Sequence, residues 1–369
     1  MRLEASKNFI VAVLNEAIMH GRSRITIRAD LLGMDILKID LEDERITWVA
    51  DRKDFDPVVS DLRMKIGERW LEDDLPDYYD LRDAFQSSLM VRPLEFDNLI
   101  DELGKIEERR LDPYRHPKQM LLTIDTNIAY NRLLSRMTLL EEMCGRRGMD
   151  PSKIPVIIPS LVEEEISRSI GQKYSSGDIG RMERALGARL PCNLSNCLCR
   201  RGRRAANAQA EIKIIEERYS SIMISGGEFN EDKEKRDWDI VRSVSDYSRD
   251  HDNQVLFLTA DDKAMAHCNA FKVPSKSVKY EYDLPRKMEY DPWLLVELLY
   301  DISINFAVIS LRGLGVRIQG TWAGKSIRDY PKERLCFCIE GSSNLSRDLK
   351  RDHDILCALG QAVDLKHIY

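Results

Sequence analysis

The chain has 369 residues, 43% of them hydrophobic and 32% charged, with a formal net charge of −6. That length provides for two or three domains with cores of their own, and the composition excludes a disordered chain. The negative balance argues against indiscriminate coating of nucleic acid, although a local basic patch is enough to steer phosphates.

Residues 1–115 read as an amino-terminal α/β accessory module. A helix is expected from Leu3 to His20, because Phe9, Ile10, Val13, Leu14, Ala17 and Ile18 recur at helical spacing. This start has no sustained apolar core followed by a small-residue cleavage site, so it reads as helix and not signal peptide. No apolar run in the chain approaches a bilayer span, and a cytoplasmic protein without membrane contact is expected. Arg24–Arg28 alternates like a strand, and Ile36–Leu41 and Arg45–Val49 flank the turn Glu42–Glu44 as a hairpin. Helices are expected at about 57–70, 77–90 and 94–109. The acidic segment Leu71–Asp77 would repel a polyanion, and the module holds no catalytic motif.

Residues 116–285 read as the central domain, with the order β-α-β-α, a helical insertion at about 171–236, then α-β-α-β. That alternation predicts a mainly parallel sheet wrapped by helices. Leu121–Asn127 is an apolar strand ending on the carboxylate of Asp125. Three further acidic segments follow, at Pro159–Ile166, Asp237–Ile240 and Leu258–Asp261. Residues at the carboxyl ends of such strands face the crevice where α/β sheets bind ligands. Carboxylates gathered there repel one another and call for divalent cations to stay ionised together. Within the insertion, Gly187 to Gly202, with Pro191, Asn193 and Asn196, reads as a loop, and Ala205 to Ile222 as a helix. Val278 to Tyr282 is expected to be the last strand. Arg200, Arg201, Arg203 and Arg204, with Arg181, Arg184 and Arg189 upstream, form a basic run that serves either as solvated surface or as RNA-binding patch.

Residues 286–369 read as a small α+β module: a helix from Trp293 to Ile304, strands at Asn305–Leu311, Val316–Trp322 and Leu335–Ile339, and a helix from Ser346 to Leu359. The terminal modules suit a homodimer contact or a protein partner as well as RNA. Eight cysteines are present. Cys192, Cys197 and Cys199 raise the question of zinc, but no nearby His completes a ligand set, so buried reduced thiols are the better reading. Cys336 and Cys338 alternate on one face of a strand.

Residues 119–282 resemble a PIN domain, the nuclease fold named after the PilT N-terminus. The resemblance rests on four short motifs in order: Ile124-Asp-Thr-Asn127, Pro159 to Glu165-Ile166, Asp237 to Ile240, and Thr259-Ala-Asp261. It implies a PIN-like α/β fold and an endoribonuclease that uses Mg²⁺ or Mn²⁺ to hydrolyse RNA, leaving a 5′-phosphate and a 3′-hydroxyl. Asp125, Glu165, Asp237 and Asp261 are the implied catalytic and metal-binding residues. Glu164 and Asp239 stand in reserve, since Glu163–Glu165 are consecutive and Asp239 precedes the aliphatic residue. Thr126, Asn127 and Thr259 are expected to support the site, with Thr126 orienting Asp125 and Asp262 capping the next helix. Two competing readings remain: a catalytically weak RNA-binding or scaffolding protein, and a toxin-like nuclease of a toxin–antitoxin pair. A DNA flap nuclease would need further acidic residues.

Overall fold

The computed structural model describes residues 1–112, 114, 118–137, 154–190, 192–341 and 344–362. The expected domain boundary at Arg115 and the loop residue Pro191 lie outside them. The described chain divides into two compact units: residues 1–85, 173–203 and 283–369 form one, and residues 86–172 and 204–282 the other.

The first unit is built on an eight-stranded antiparallel sheet. Its strands are β1 (Arg2–Ser6), β2 (Arg24–Ala29), β3 (Met34–Asp40), β4 (Arg45–Val49), β10 (Met288–Glu289), β11 (Val308–Arg312), β12 (Val316–Gln319) and β13 (Arg334–Ile339), in the order β1-β13-β12-β11-β2-β3-β4-β10. The two ends of the chain therefore share one sheet, and the expected pair of separate terminal modules is corrected. Arg2 pairs with Cys338 and Ile309 with Ala29, contacts separated by hundreds of residues that no local pattern announces. The expected amino-terminal helix is also shorter. Arg2–Ser6 alternates in burial and joins the sheet edge, and the helix begins at Phe9.

The helix Pro292–Phe306 starts with Asp291 as its cap and proline at the first position, the arrangement that suits the unpaired N–H groups of a first turn. From Leu295 to Phe306 every side chain is buried. Glu297 lies on this helix and pairs with Lys7, which also binds Glu333. Gly320, after β12, lies hard against the same helix. A Cβ there would stand 2.1 Å from the Ser303 carbonyl oxygen and 2.4 Å from its carbon. Only the absence of a side chain permits that approach. The expected insertion is corrected in two ways: residues 173–203 belong to this first unit, and the segment after Arg218 is a strand, not helix.

The second unit holds a five-stranded, all-parallel sheet of β5 (Met120–Ile124), β6 (Pro155–Pro159), β7 (Ser220–Ile224), β8 (Gln254–Thr259) and β9 (Ser275–Ser277). Its order is β7-β6-β5-β8-β9. β5 is buried at every position, as a central parallel strand covered on both faces must be. The chain steps outward from β5 in one direction through β6 and β7, then returns to β8 on the opposite side. β5 and β8 therefore flank the switch point where open α/β sheets form a crevice. The α/β class and the mainly parallel sheet agree with the sequence. The last strand is Ser275–Ser277, not Val278–Tyr282, because Phe257 N–H already binds Pro274 and Val278 N–H binds the Thr259 carbonyl.

Gly320→Ala is expected to lower the midpoint of thermal unfolding by several degrees, since the clash is with main chain and overpacking of this kind costs about 1–3 kcal/mol. Thermal unfolding followed by circular dichroism checks this; an unchanged midpoint would show that the backbone relaxes freely there.

Candidate active site

Asp125, Glu165, Asp237 and Asp261 all line one pocket of the parallel-sheet unit, together with Thr126, Asn127, Tyr130, Lys233, Ile240, Phe257 and Ala264. Each acid comes from a different strand–helix junction. Asp125 follows β5 and Asp261 follows β8, while Glu165 lies on the helix Ser160–Arg168 after β6 and Asp237 on the helix Lys233–Asp250 after β7. The reserve residues separate cleanly. Glu164 turns to Arg168 at 2.8 Å, and Asp239 does not line the pocket.

Asp125 caps the helix Thr126–Tyr130 and serves the pocket at once. Its Oδ1 accepts from the Ile128 N–H at 2.8 Å, while Oδ2 accepts from Thr259 Oγ1 at 2.5 Å and from Asn127 Nδ2 at 3.4 Å. Thr259 is buried, and its Oγ1 also accepts the Asp261 N–H at 2.9 Å, so one hydroxyl fixes two acidic residues. Thr126 behaves otherwise than expected. It donates to Glu165 Oε2 at 2.6 Å and not to Asp125. The expected cap Asp262 is also corrected: Asp261 itself caps the helix Asp262–Phe271, accepting from Lys263 N–H at 2.8 Å, and Asp262 pairs with Lys279 at 2.7 Å.

Two cations that sequence reasoning missed meet these acids, Lys233 in the pocket lining and Arg236 behind Glu165. Arg236, buried beside Asp237, donates Nη2 to Glu165 Oε1 at 2.7 Å and Nη1 to the Asn230 carbonyl at 2.9 Å, with its guanidinium 4.9 Å from the Phe229 ring. Lys233 Nζ lies 3.9 Å from Asp261 Oδ2. The signal was available: Lys233 and Asp237 stand four apart and so share one helix face. With all six groups ionised, four carboxylates against two cations leave a formal charge of −2. Burial pushes the Asp125 carboxyl up to about 6, against the hydrogen bonds from Thr259, Ile128 and Asn127, and the Asp261 charge adds to the rise. Asp237 is raised as well, by burial first and by Glu165 and Asp261, with Lys233 opposing.

An all-oxygen carboxylate set fits a hard divalent cation such as Mg²⁺ or Mn²⁺ by its chemistry. No three of these acids bring oxygens within 4.8 Å of one another. Among the described residues, the one such trio is Glu16, His20 and Asp348 in the other unit, where Arg351 already lies 3.5 Å from each of the two carboxylates.

The basic run is not a patch. Arg203 is wholly buried and donates to the carbonyls of Leu198, Ile304 and Asn305 at 2.9, 2.7 and 3.1 Å. Arg200 pairs with buried Asp80 and donates to the Asp73 carbonyl at 2.6 Å. Both are thereby committed to the fold of the first unit. Arg201 is exposed there, and only Arg204 belongs to the unit with the pocket, 5.9 Å from the ring of Tyr130. The thiols of Cys192, Cys197 and Cys199 are raised by burial, the first to about 12. Among the described residues no helix is long and apolar enough to cross a membrane. Comparison with known proteins finds no match among family models, curated proteins or solved structures.

The raised Asp125 value sets a pH dependence. The folded state favours the protonated form, so the stabilisation is complete below the unfolded value near 3.8 and is lost as pH rises through about 6. In chelator, Asp125→Asn is expected to be more stable than the parent at pH 7, by on the order of 3 kcal/mol, with the advantage vanishing toward pH 4. Thermal unfolding of both proteins across pH 4–8 checks this, and a constant difference would sink the assignment. Arg203→Ala is expected to unfold the first unit or lower its midpoint sharply, because several buried carbonyls lose their donor. A midpoint unmoved by that change would contradict it.

Proposed function

We propose that the parallel-sheet unit is a PIN-like nuclease domain and that the chain is a metal-dependent endoribonuclease. The observation that carries this reading is the arrival of Asp125, Glu165, Asp237 and Asp261, from four successive strand–helix junctions, in one pocket beside the switch point of the sheet. A fold gains nothing in stability from crowding acids, since each raises the cost of ionising the next. Such crowding is the mark of a functional site.

Asp125, Asp237 and Asp261 would hold Mg²⁺ or Mn²⁺, which when bound supplies a water of lowered pKa and charge stabilisation at phosphorus. The chain's own residues do the rest. Thr259 holds Asp125 and the Asp261 main chain in register, and Thr126 with Arg236 fixes both oxygens of Glu165. Lys233 is placed to meet a phosphate oxygen at the pocket. Arg204 lies over the ring of Tyr130, which itself lines the pocket.

The second reading, a catalytically weak RNA-binding or scaffolding protein, draws on the two cations beside the acids. Lys233 and Arg236 already offset half of the acidic charge.

Cleavage of a mixed single-stranded RNA panel separates the two. Activity is expected with Mg²⁺ or Mn²⁺ and is expected to stop in excess chelator. Asp125→Asn and Asp261→Asn should reduce the rate by 100-fold or more at unimpaired folding, on the order expected for loss of a metal ligand or its electrostatics. Glu165→Gln should be more damaging than Glu164→Gln. Undiminished cleavage in chelator, or full activity of Asp125→Asn, rejects the nuclease site. Retained RNA affinity without cleavage under any divalent metal favours the scaffold.

A further inference from the structure

β13 carries Cys336 and Cys338 two residues apart, so the pleat turns both thiols to one face of the antiparallel sheet. The register then sets their neighbours. Arg2 of β1 and Arg317 of β12 stand directly opposite Cys338, one on each side, and Glu4 and Gln319 flank Cys336 in the same way. Side chains so placed reach one another across strands. Arg2 donates Nε–H to Cys336 Sγ at 3.1 Å, and Gln319 donates from Nε2 to Cys338 Sγ at 3.1 Å. Cys336 and Cys338 are therefore neighbours on that face. Cys336 is buried, whereas Cys338 keeps partial exposure, and neither forms a disulfide.

We propose that Cys338 is a reactive thiolate, a modification site for soft electrophiles and hydroperoxides, with Cys336 as its internal S–H donor. Reactive cysteines are those with an exposed sulfur in an electropositive, hydrogen-bonding setting, while buried apolar thiols stay inert. Every charge facing the pair can be named. Arg2, Arg317 and the Met1 amino group favour the thiolate. Glu4, 3.6 Å from Arg2, and Glu340, paired with Arg317, offset them in part. Cys192 is a third thiol on this side, itself pushed up by burial. The net direction for Cys338 is below an ordinary thiol, first through the bond from Cys336 and then through Arg2 and Arg317, against the effect of burial. Sharing that proton pushes Cys336 the other way.

The chemistry balances without a cofactor. The Cys338 sulfur attacks one oxygen of the hydroperoxide and the O–O bond breaks. A sulfenic acid forms on Cys338, and the departing oxygen leaves as water or alcohol after taking the Cys336 proton. With an alkylating agent the sulfur displaces halide and no proton is required.

The test uses the full chain. Purified protein is treated at pH 7 with limiting iodoacetamide, or with one equivalent of hydrogen peroxide followed by dimedone, and each cysteine is read by peptide mass spectrometry. Cys338 is expected to be labelled several-fold faster than the more exposed Cys357, and to be the main dimedone adduct. Arg317→Gln should slow Cys338 alkylation about tenfold while Arg317→Lys restores most of it, which a merely structural role would not predict. Cys336→Ser, which keeps a donor, should react faster than Cys336→Ala. Thermal midpoints identify any variant that fails to fold, and the parent protein decides the matter alone if they do. Labelling of Cys338 slower than Cys357 in the parent, or a rate indifferent to the charge at position 317, overturns the proposal.

Discussion

Repulsion among carboxylates is the constraint around which the parallel-sheet unit is arranged. Asp125 and Asp261 end the two strands that flank the switch point, and Glu165 and Asp237 arrive from the next two junctions. Acids that close together stay ionised only if something answers their charge. The chain answers with hydrogen bonds to Asp125, with Thr126 and Arg236 on Glu165, and with Lys233 beside Asp261. A formal charge of −2 remains, and the Asp125 carboxyl is raised by burial first, with the Asp261 charge adding to it.

The other unit solves a different problem. β2, β3 and β4 leave one long edge of β2 unpaired, and an open edge invites pairing with other chains. Strand β11 pairs with that edge, β12 and β13 extend the sheet, and β1 is its last strand on that side. The segment 173–203 belongs to this unit and places Arg203 beneath main-chain carbonyls of the helix Pro292–Phe306. A guanidinium with several fixed donors suits that task, and its burial removes it from any role at a phosphate. The same sheet brings Arg2, Cys338 and Arg317 into one row across three strands, which no segment of sequence contains.

Much was legible in the sequence because it was local. The apolar runs of β5, β6 and β8, the acids that end or follow them, and the alternation of strand with helix each lie within a few residues, so composition and spacing specify them. Helical rotation said only that one of the three glutamates could face Asp125, and the motif spacing of the PIN resemblance picked Glu165; Glu165 lines the pocket and Glu164 pairs with Arg168. Lys233 was equally local and was overlooked, since attention to the acids hid a lysine one turn earlier on the same face.

What the tertiary structure alone decided was the non-local part: the union of both chain ends in one sheet, the strand β7 inside a segment that reads as helix, and the fate of the arginine run. Ser220–Ile224 becomes a strand because β6 offers a parallel partner, and that pairing outweighs the helical tendency of the residues before it. Arg200, Arg203 and Arg204 are chemically alike and nearly adjacent, yet one pairs with a buried acid, one satisfies buried carbonyls and one lies beside Tyr130. Sequence determines which charges a segment carries. Whether a charge is spent inside the protein or offered to a ligand depends on which distant groups the fold brings against it.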